Sequence, residues 1–211
     1  MARRGRIILK SIVWVMCLAP FAVLVRRFFA DGLGANPIDY ITDFTGDWAL
    51  RILLASLTLT PIRILTGITW PLALRRLLGL FAFFYAALHF STWLVLDHFF
   101  NWPLMLTDIL KRRYITVGMS ALILLVPLAV TSTGGMVRRL GGTAWRRLHK
   151  AVYLVAILAV LHYLWLAKVG VPDPFYYAAI LLVLLGVRLA DAVRRLLRKR
   201  QRRTTAEALP A

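Results

Sequence analysis

Three histidines stand in or at the edge of strongly apolar sequence: His89 in LLGLFAFFYAALHFSTWLVL, and His149 and His162 in RRLHKAVYLVAILAVLHYLWLAK. An ionisable side chain in a hydrocarbon layer costs free energy, so it normally faces the inside of a helix bundle and binds something there. Imidazole serves as metal ligand or proton carrier, which narrows the chemistry to ligation or relay. Catalytic zinc wants three close ligands and an activating carboxylate. The sequence has no H-E-x-x-H and no acid close to His89 or His162 within their apolar runs. Copper would want cysteine or a methionine cluster. The single cysteine, Cys17, excludes an internal disulfide and a cysteine-held iron–sulfur cluster. Two imidazoles from separate helices suit a porphyrin iron, which takes a ligand on each face.

The elements that must position these rings are membrane spans. Ala151 to Ala167 is a run of 17 residues, uncharged and interrupted only by His162. At ~1.5 Å per residue it crosses most of a ~30 Å hydrocarbon layer. The 211-residue chain is 60% hydrophobic with a mean hydropathy of +0.72, outside the soluble globular class. Six spans are expected, at about 8–29, 47–66, 77–96, 114–133, 149–168 and 174–193, making one all-α integral membrane domain over 1–211 with a basic tail at 194–211. A net charge of +18 would suggest nucleic acid in a soluble protein. Here the basic residues sit between spans and set orientation instead, so no nucleic-acid partner is expected. Arg3, Arg4, Arg6 and Lys10, then Arg63, Arg75 and Arg76, then Arg138 to Lys150, then the tail mark a cytoplasmic side, which membrane lipid would contact. Seven of the nine acids, Asp31, Asp39, Asp43, Asp47, Asp97, Asp108 and Asp173, fall on the opposite side, although Lys111, Arg112 and Arg113 lie there too. Both termini are expected inside. The first span follows MARRGRIILK but ends in Arg26, Arg27, Phe28 and Phe29, which make no small-residue cleavage site, so it is read as uncleaved.

Spans three and five cross in the same direction. Each intramembrane histidine lies about 12 residues from its span's start, hence ~18 Å deep on both helices. That matched depth places a haem between spans three and five, with Phe83, Phe84, Tyr85, Tyr163 and Trp165 available to house it. His149 stands ~20 Å along the helix from His162 and roughly 140° around it. A second haem there would lack the symmetry of the first, because Arg75 and Arg76 occupy the facing part of span three. Arg51, four residues after Asp47, is read as that acid's partner, or as a cation for a haem propionate or quinone oxygen. His98 reads as an interfacial bystander. DGLGANPIDYITDFTG reads as a shaped loop, and the pairs Gly134-Gly135 and Gly141-Gly142 as turns.

Several blocks carry a family likeness: GLGANP and FTG, LLASLTLTPIR, RRLLGLFAFFYAALH, RRYITVG, and TSTGGMVRRLGGTAWRRLHKAVYLVAILAVLHYLWLAK. Together they resemble the MsrQ (YedZ) family, haem-binding membrane subunits of the bacterial periplasmic protein-methionine-sulfoxide reductase system, in the ferric-reductase-like transmembrane superfamily that includes NADPH oxidases. One histidine on span three with His-x12-His on span five suits this family better than the oxidases, which carry two histidines on each. The resemblance implies that His89, His149 and His162 bind haem b, one or two per chain, as axial ligands to iron. It implies electrons arriving from the quinone pool or a cytosolic flavin reductase and leaving to a periplasmic molybdenum-containing MsrP-like catalytic subunit, in the bacterial inner membrane. It also implies a bound FMN. Arg75 and Arg76, with Arg146 and Arg147, could receive its phosphate or a propionate, against a solvated, lipid-facing role for each.

Every connection between spans is short, so nucleotide binding and substrate chemistry must be borrowed from partners. The expectation is a non-catalytic transmembrane electron conduit within an oxidoreductase system, with redox chemistry supplied by the cofactor. Its rival is a small transporter or proton pathway using the same histidines as relays. Against the rival stand the lack of an inverted repeat and of a paired acid along a path.

Overall fold

The computed structural model describes residues 3–166 and 171–207. It is an all-α, multi-pass membrane protein, and six of its helical stretches are long and apolar enough to span a bilayer. The spans are α1 (Arg3–Phe29), α2 (Pro37–Thr66), α3 (Arg75–Ser91) with the turns that flank it, α5 (Arg113–Val130), α7 (Val152–Leu166) and α8 (Asp173–Glu207). Between them lie α4 (Trp102–Lys111) and the arginine-rich α6 (Gly134–Leu148). The end of the expected fifth span, Ala167 and Lys168, and the last residues of the tail lie outside the described residues.

Two antiparallel pairings form the frame. The Thr42 carbonyl meets His89, and the Ser56 hydroxyl meets the Arg75 carbonyl. Fourteen residues forward along α2 are thus matched by fourteen back along α3. Likewise the Tyr114 carbonyl meets His162 and the Thr131 carbonyl meets Trp145, seventeen residues against seventeen. Between the frames a core of Leu53, Leu57, Ala82, Tyr85, Val155 and Ala156 is closed to solvent. Ala82 and Ala156 are among the most buried, since small side chains let membrane helices approach closely.

Local sequence explains the ends of these helices. Pro37 occupies the first helical position of α2, and Asn36 caps it, its Oδ1 accepting from Asp39 N–H at 3.4 Å. At the other end Gly67 takes φ 74° and its N–H returns to the Arg63 carbonyl, closing the helix with a left-handed residue. In α1, Pro20 interrupts the backbone ladder. There the fully buried Tyr85 hydroxyl accepts from Phe21 N–H at 3.0 Å and donates to the Cys17 carbonyl at 2.7 Å. An uninterrupted helix would join those two groups directly. One side chain of α3 therefore fills the gap left by a proline in α1.

Three expectations change. The segment expected as a shaped loop is helical from Pro37, because an asparagine cap followed by proline starts a helix as readily as a turn. The Gly134-Gly135 pair opens α6 instead, capped by Thr133 Oγ1 accepting from Met136 N–H at 3.2 Å, whereas at the second pair the turn reading holds, since Gly141, at φ 73° and ψ 147°, kinks the helix there. The basic tail continues α8 without a break to Glu207.

Candidate functional site

The depth match predicted for the two intramembrane histidines is met: the rings of His89 and His162 stand 6.1 Å apart, centre to centre, at 79° to one another. Each ring is oriented in the same way. His89 Nδ1 lies 2.9 Å from the Thr42 carbonyl and His162 Nδ1 lies 2.7 Å from the Tyr114 carbonyl. A carbonyl only accepts, so each Nδ1 carries the proton and each Nε2 keeps its lone pair. Anchoring one ring nitrogen on backbone while the other is left to ligate is how proteins prepare a metal-binding histidine.

The space for each ring comes from a glycine four residues after the accepting carbonyl. A methyl group at Gly46 would lie 3.0 Å from His89 ring atoms, and one at Gly118 would lie 2.7 Å from His162 Nδ1. Both glycines sit inside apolar helices, where glycine costs about 1 kcal/mol relative to alanine, so close approach of the rings accounts for them. The same device, a carbonyl at one position and a glycine one turn later, therefore occurs once on α2 and once on α5.

The ring spacing fits a shared metal. Imidazole–metal bonds of roughly 2.0 Å on each side, with ring centres about 1.1 Å beyond each nitrogen, put the centres about 6.2 Å apart. The observed separation of 6.1 Å matches. No group of three or more His, Cys, Asp or Glu side chains gathers round a possible metal among the described residues, so a site that takes its remaining ligands from a macrocycle suits this geometry better than a free ion.

The neighbours divide unevenly. Phe84 packs edge-on against Phe21 at 5.5 Å, and Tyr85 bonds α1, so both serve the α1–α3 contact. Tyr163 lies within electrostatic reach of Asp47 and 5.9 Å from Tyr177. Arg51 pairs with Asp47 at 2.8 Å and donates to the Tyr177 hydroxyl at 2.8 Å, so it has its own partners. Asp47 follows Gly46 and Tyr163 follows His162, which places this network directly beside the histidine pair. Trp165 is half exposed.

His149 lies elsewhere, on the single turn His149–Ala151 that joins α6 to α7. Its Nε2 is 3.1 Å from Thr131 Oγ1, and its ring stacks on Trp145 at 3.9 Å. Trp145 in turn donates to the Thr131 carbonyl at 2.9 Å. Arg76 stands within electrostatic reach of His149, as the facing position on span three required. Arg75 donates to Thr60 Oγ1.

His98 is no bystander. It is buried, with Nε2 3.0 Å from Asp108 Oδ2 and Nδ1 3.2 Å from the Trp93 carbonyl. A wide turn over Thr92–Asp97 swings it back, and Phe99 and Phe100 follow with φ of 46° and 59°. The histidine thereby ties the end of span three to α4. Its partner lies ten residues away on another element, so no local pattern announced the contact.

The profile described as "Ferric reductase like transmembrane component" matches residues 45–160, from one residue before Gly46 to two residues short of His162. A protein of Rhodospirillum rubrum named "Protein-methionine-sulfoxide reductase heme-binding subunit MsrQ" is 54% identical over 193 residues, covering 92% of this chain and 91% of its own length. Proteins of the same name from Herminiimonas arsenicoxydans and Ralstonia nicotianae are 52% and 47% identical, covering 86% and 83% of this chain and 84% and 82% of their own. With the histidine pair, its six-span frame and likeness along nearly the whole length in agreement, this chain belongs to the MsrQ family of ferric-reductase-like transmembrane proteins.

Proposed function

We propose that this chain is the b-type haem electron-transfer subunit of a protein-methionine-sulfoxide reductase system, with His89 and His162 as the axial ligands of one haem. The observation that carries the reading is the pair of rings 6.1 Å apart, each with Nδ1 tied to a backbone carbonyl and Nε2 left to ligate. A haem held there supplies one-electron redox chemistry within the membrane. The protein's part is to hold both imidazoles in one tautomer, keep them level, and seat them against Gly46 and Gly118.

In this reading the chain lies in a bacterial inner membrane with both termini cytoplasmic. It takes electrons from the quinone pool or a cytosolic flavin reductase and passes them to a periplasmic molybdenum-containing catalytic subunit. The relatives' name, a heme-binding subunit of a methionine-sulfoxide reductase, supports the haem and the catalytic partner. A second haem at His149 would require Nε2 to leave Thr131, with Arg76 and no histidine close by on α3, so the proposal rests on one. Arg75 and Arg76 remain the cations offered to an anionic group, whether a propionate or an FMN phosphate.

The test is optical. Purified protein should show a reducible Soret band with a haem-to-protein ratio near one, and His89→Ala and His162→Ala should each abolish it. A colourless preparation, or full haem in both variants, would reject the reading and leave a proton or solute pathway in its place.

A further inference from the structure

Away from the histidine pair, near the basic edge of the bundle, cations converge without an acid. Arg188 of α8 reaches inward: Nη1 donates to the Tyr153 hydroxyl at 2.6 Å, and Nη2 donates to the Leu57 carbonyl on α2. Its Nε is buried with no hydrogen-bond partner among the described residues, and its guanidinium lies 4.9 Å from the Tyr153 ring centre. Arg75, the first residue of α3, donates to Thr60 Oγ1, about one turn along α2 from Leu57. Two guanidiniums are thus drawn to adjacent turns of a single helix. Arg63, a further turn along, lies within electrostatic reach of Arg75, as Arg188 does.

The ion pairs of the described residues engage Asp47, Asp97, Asp108 and Asp191, and none of them includes Arg63, Arg75 or Arg188. Every hydrogen-bond partner of Arg75 and Arg188 is a neutral oxygen. Cations gathered in partly buried surroundings repel one another and pay for desolvation, and an anion is what offsets both. Among the described residues no ion pair supplies one, since Asp191, three residues after Arg188 on α8, is bound to Arg195 at 2.8 Å. The abundant anion at a membrane surface is the lipid phosphate, and arginine presents paired N–H donors that fit two phosphate oxygens. Leu65, Ile68, Trp70 and Leu189 flank these positions in sequence and are exposed, as acyl-chain contacts require.

We propose that Arg75 and Arg188, held in place by Thr60 and Tyr153 and reinforced by Arg63, form a phosphate-group site occupied by the headgroup of an anionic phospholipid. The site extends the anion-receiving role offered above for Arg75. It does not depend on the histidine pair, since Arg75 stands fourteen residues, about 21 Å, along the third span from His89.

The experiment is native mass spectrometry of the intact protein released from mixed phosphatidylglycerol–phosphatidylcholine vesicles, with haem content measured on the same samples. The wild type should retain phosphatidylglycerol about tenfold over phosphatidylcholine, in line with two arginines at an anionic headgroup. Arg188→Gln should remove that preference and leave haem content unchanged, while Arg188→Lys should keep most of it. Displacement of the lipid by millimolar inorganic phosphate would show that the phosphate alone is recognised; resistance to it would show that the whole lipid is. Both results uphold the site. Equal retention of the two lipids by the wild type overturns it without need of any variant. An undiminished preference in the glutamine variant also overturns it, as does haem loss with lipid retention intact, which would make the cluster a propionate clamp. Loss of the Soret band in His89→Ala with the lipid preference retained would separate failure of one proposal from failure of the other.

Discussion

At the histidine pair, each ring gives Nδ1 to a backbone carbonyl of a neighbouring helix and finds a glycine beside it; at the α6–α7 turn, His149 gives Nε2 to a threonine hydroxyl and lies flat on an indole. The first arrangement leaves Nε2 with its lone pair and sets two rings at the spacing of a shared metal. The second uses that nitrogen and has no second imidazole beside it among the described residues. The turn into α7 and α7 itself thus carry histidines thirteen residues apart in sequence, and only the partners across the bundle distinguish a prepared ligand from a packed one.

The most severe test of this contrast removes the rings. His89→Ala and His162→Ala should each eliminate the principal haem absorbance, whereas His149→Ala should leave it in place with the haem-to-protein ratio unchanged, as pyridine haemochrome assays would read. Equal losses from all three would erase the distinction. Next come the cradles. Gly118→Ala sets a methyl 2.7 Å from His162 Nδ1 and should displace the ring, costing about 1–3 kcal/mol by overpacking. Haem retention in detergent should fall sharply. Gly46→Ala, at 3.0 Å from His89, should do the same to a smaller extent. A reversed order would show that the two halves of the device are not equivalent in the way their geometry indicates.

A further variant tests whether the frame and the site are separable. Tyr85→Phe orphans the Phe21 N–H and the Cys17 carbonyl, at about 1–3 kcal/mol for buried groups left unpaired. Thermal unfolding should move down while the Soret maximum of the folded fraction stays put. The smallest effect is expected for Thr131→Val, which frees His149 Nε2. It should cost about 1 kcal/mol of stability and leave haem content at the pair unaltered. A rise towards two haems per chain in that variant would show that the threonine alone keeps His149 from ligating.

Much of the site was legible before any fold was known. His89 and His162 stand out because few residues in their runs are polar, and spans three and five cross in the same direction, so equal distances from their starts mean equal depth. Arg51 was legible as the partner of Asp47, since four residues on a helix bring side chains together. The carbonyls of Thr42 and Tyr114 and the glycines at 46 and 118 were not. A glycine inside an apolar helix signals close approach, but not what approaches, and the answer lies 43 or 44 residues away on another helix. His98 and Asp108 escaped for the same reason. Tyr85 looked like cofactor lining and is instead spent on the proline break in α1.

Residue order alone determined that this chain is a six-span membrane protein, which way its histidine-bearing helices run relative to one another, and that the two rings stand level with one another. Those properties follow from local hydropathy and a fixed rise per residue, which need no knowledge of neighbours. Tertiary packing decided which nitrogen of each imidazole is free, which histidine lacks a counterpart, and where arginines collect with no ion-pair partner among the described residues. Each of these depends on a contact between helices, and the side chain or carbonyl across such a contact is chosen by how the bundle closes.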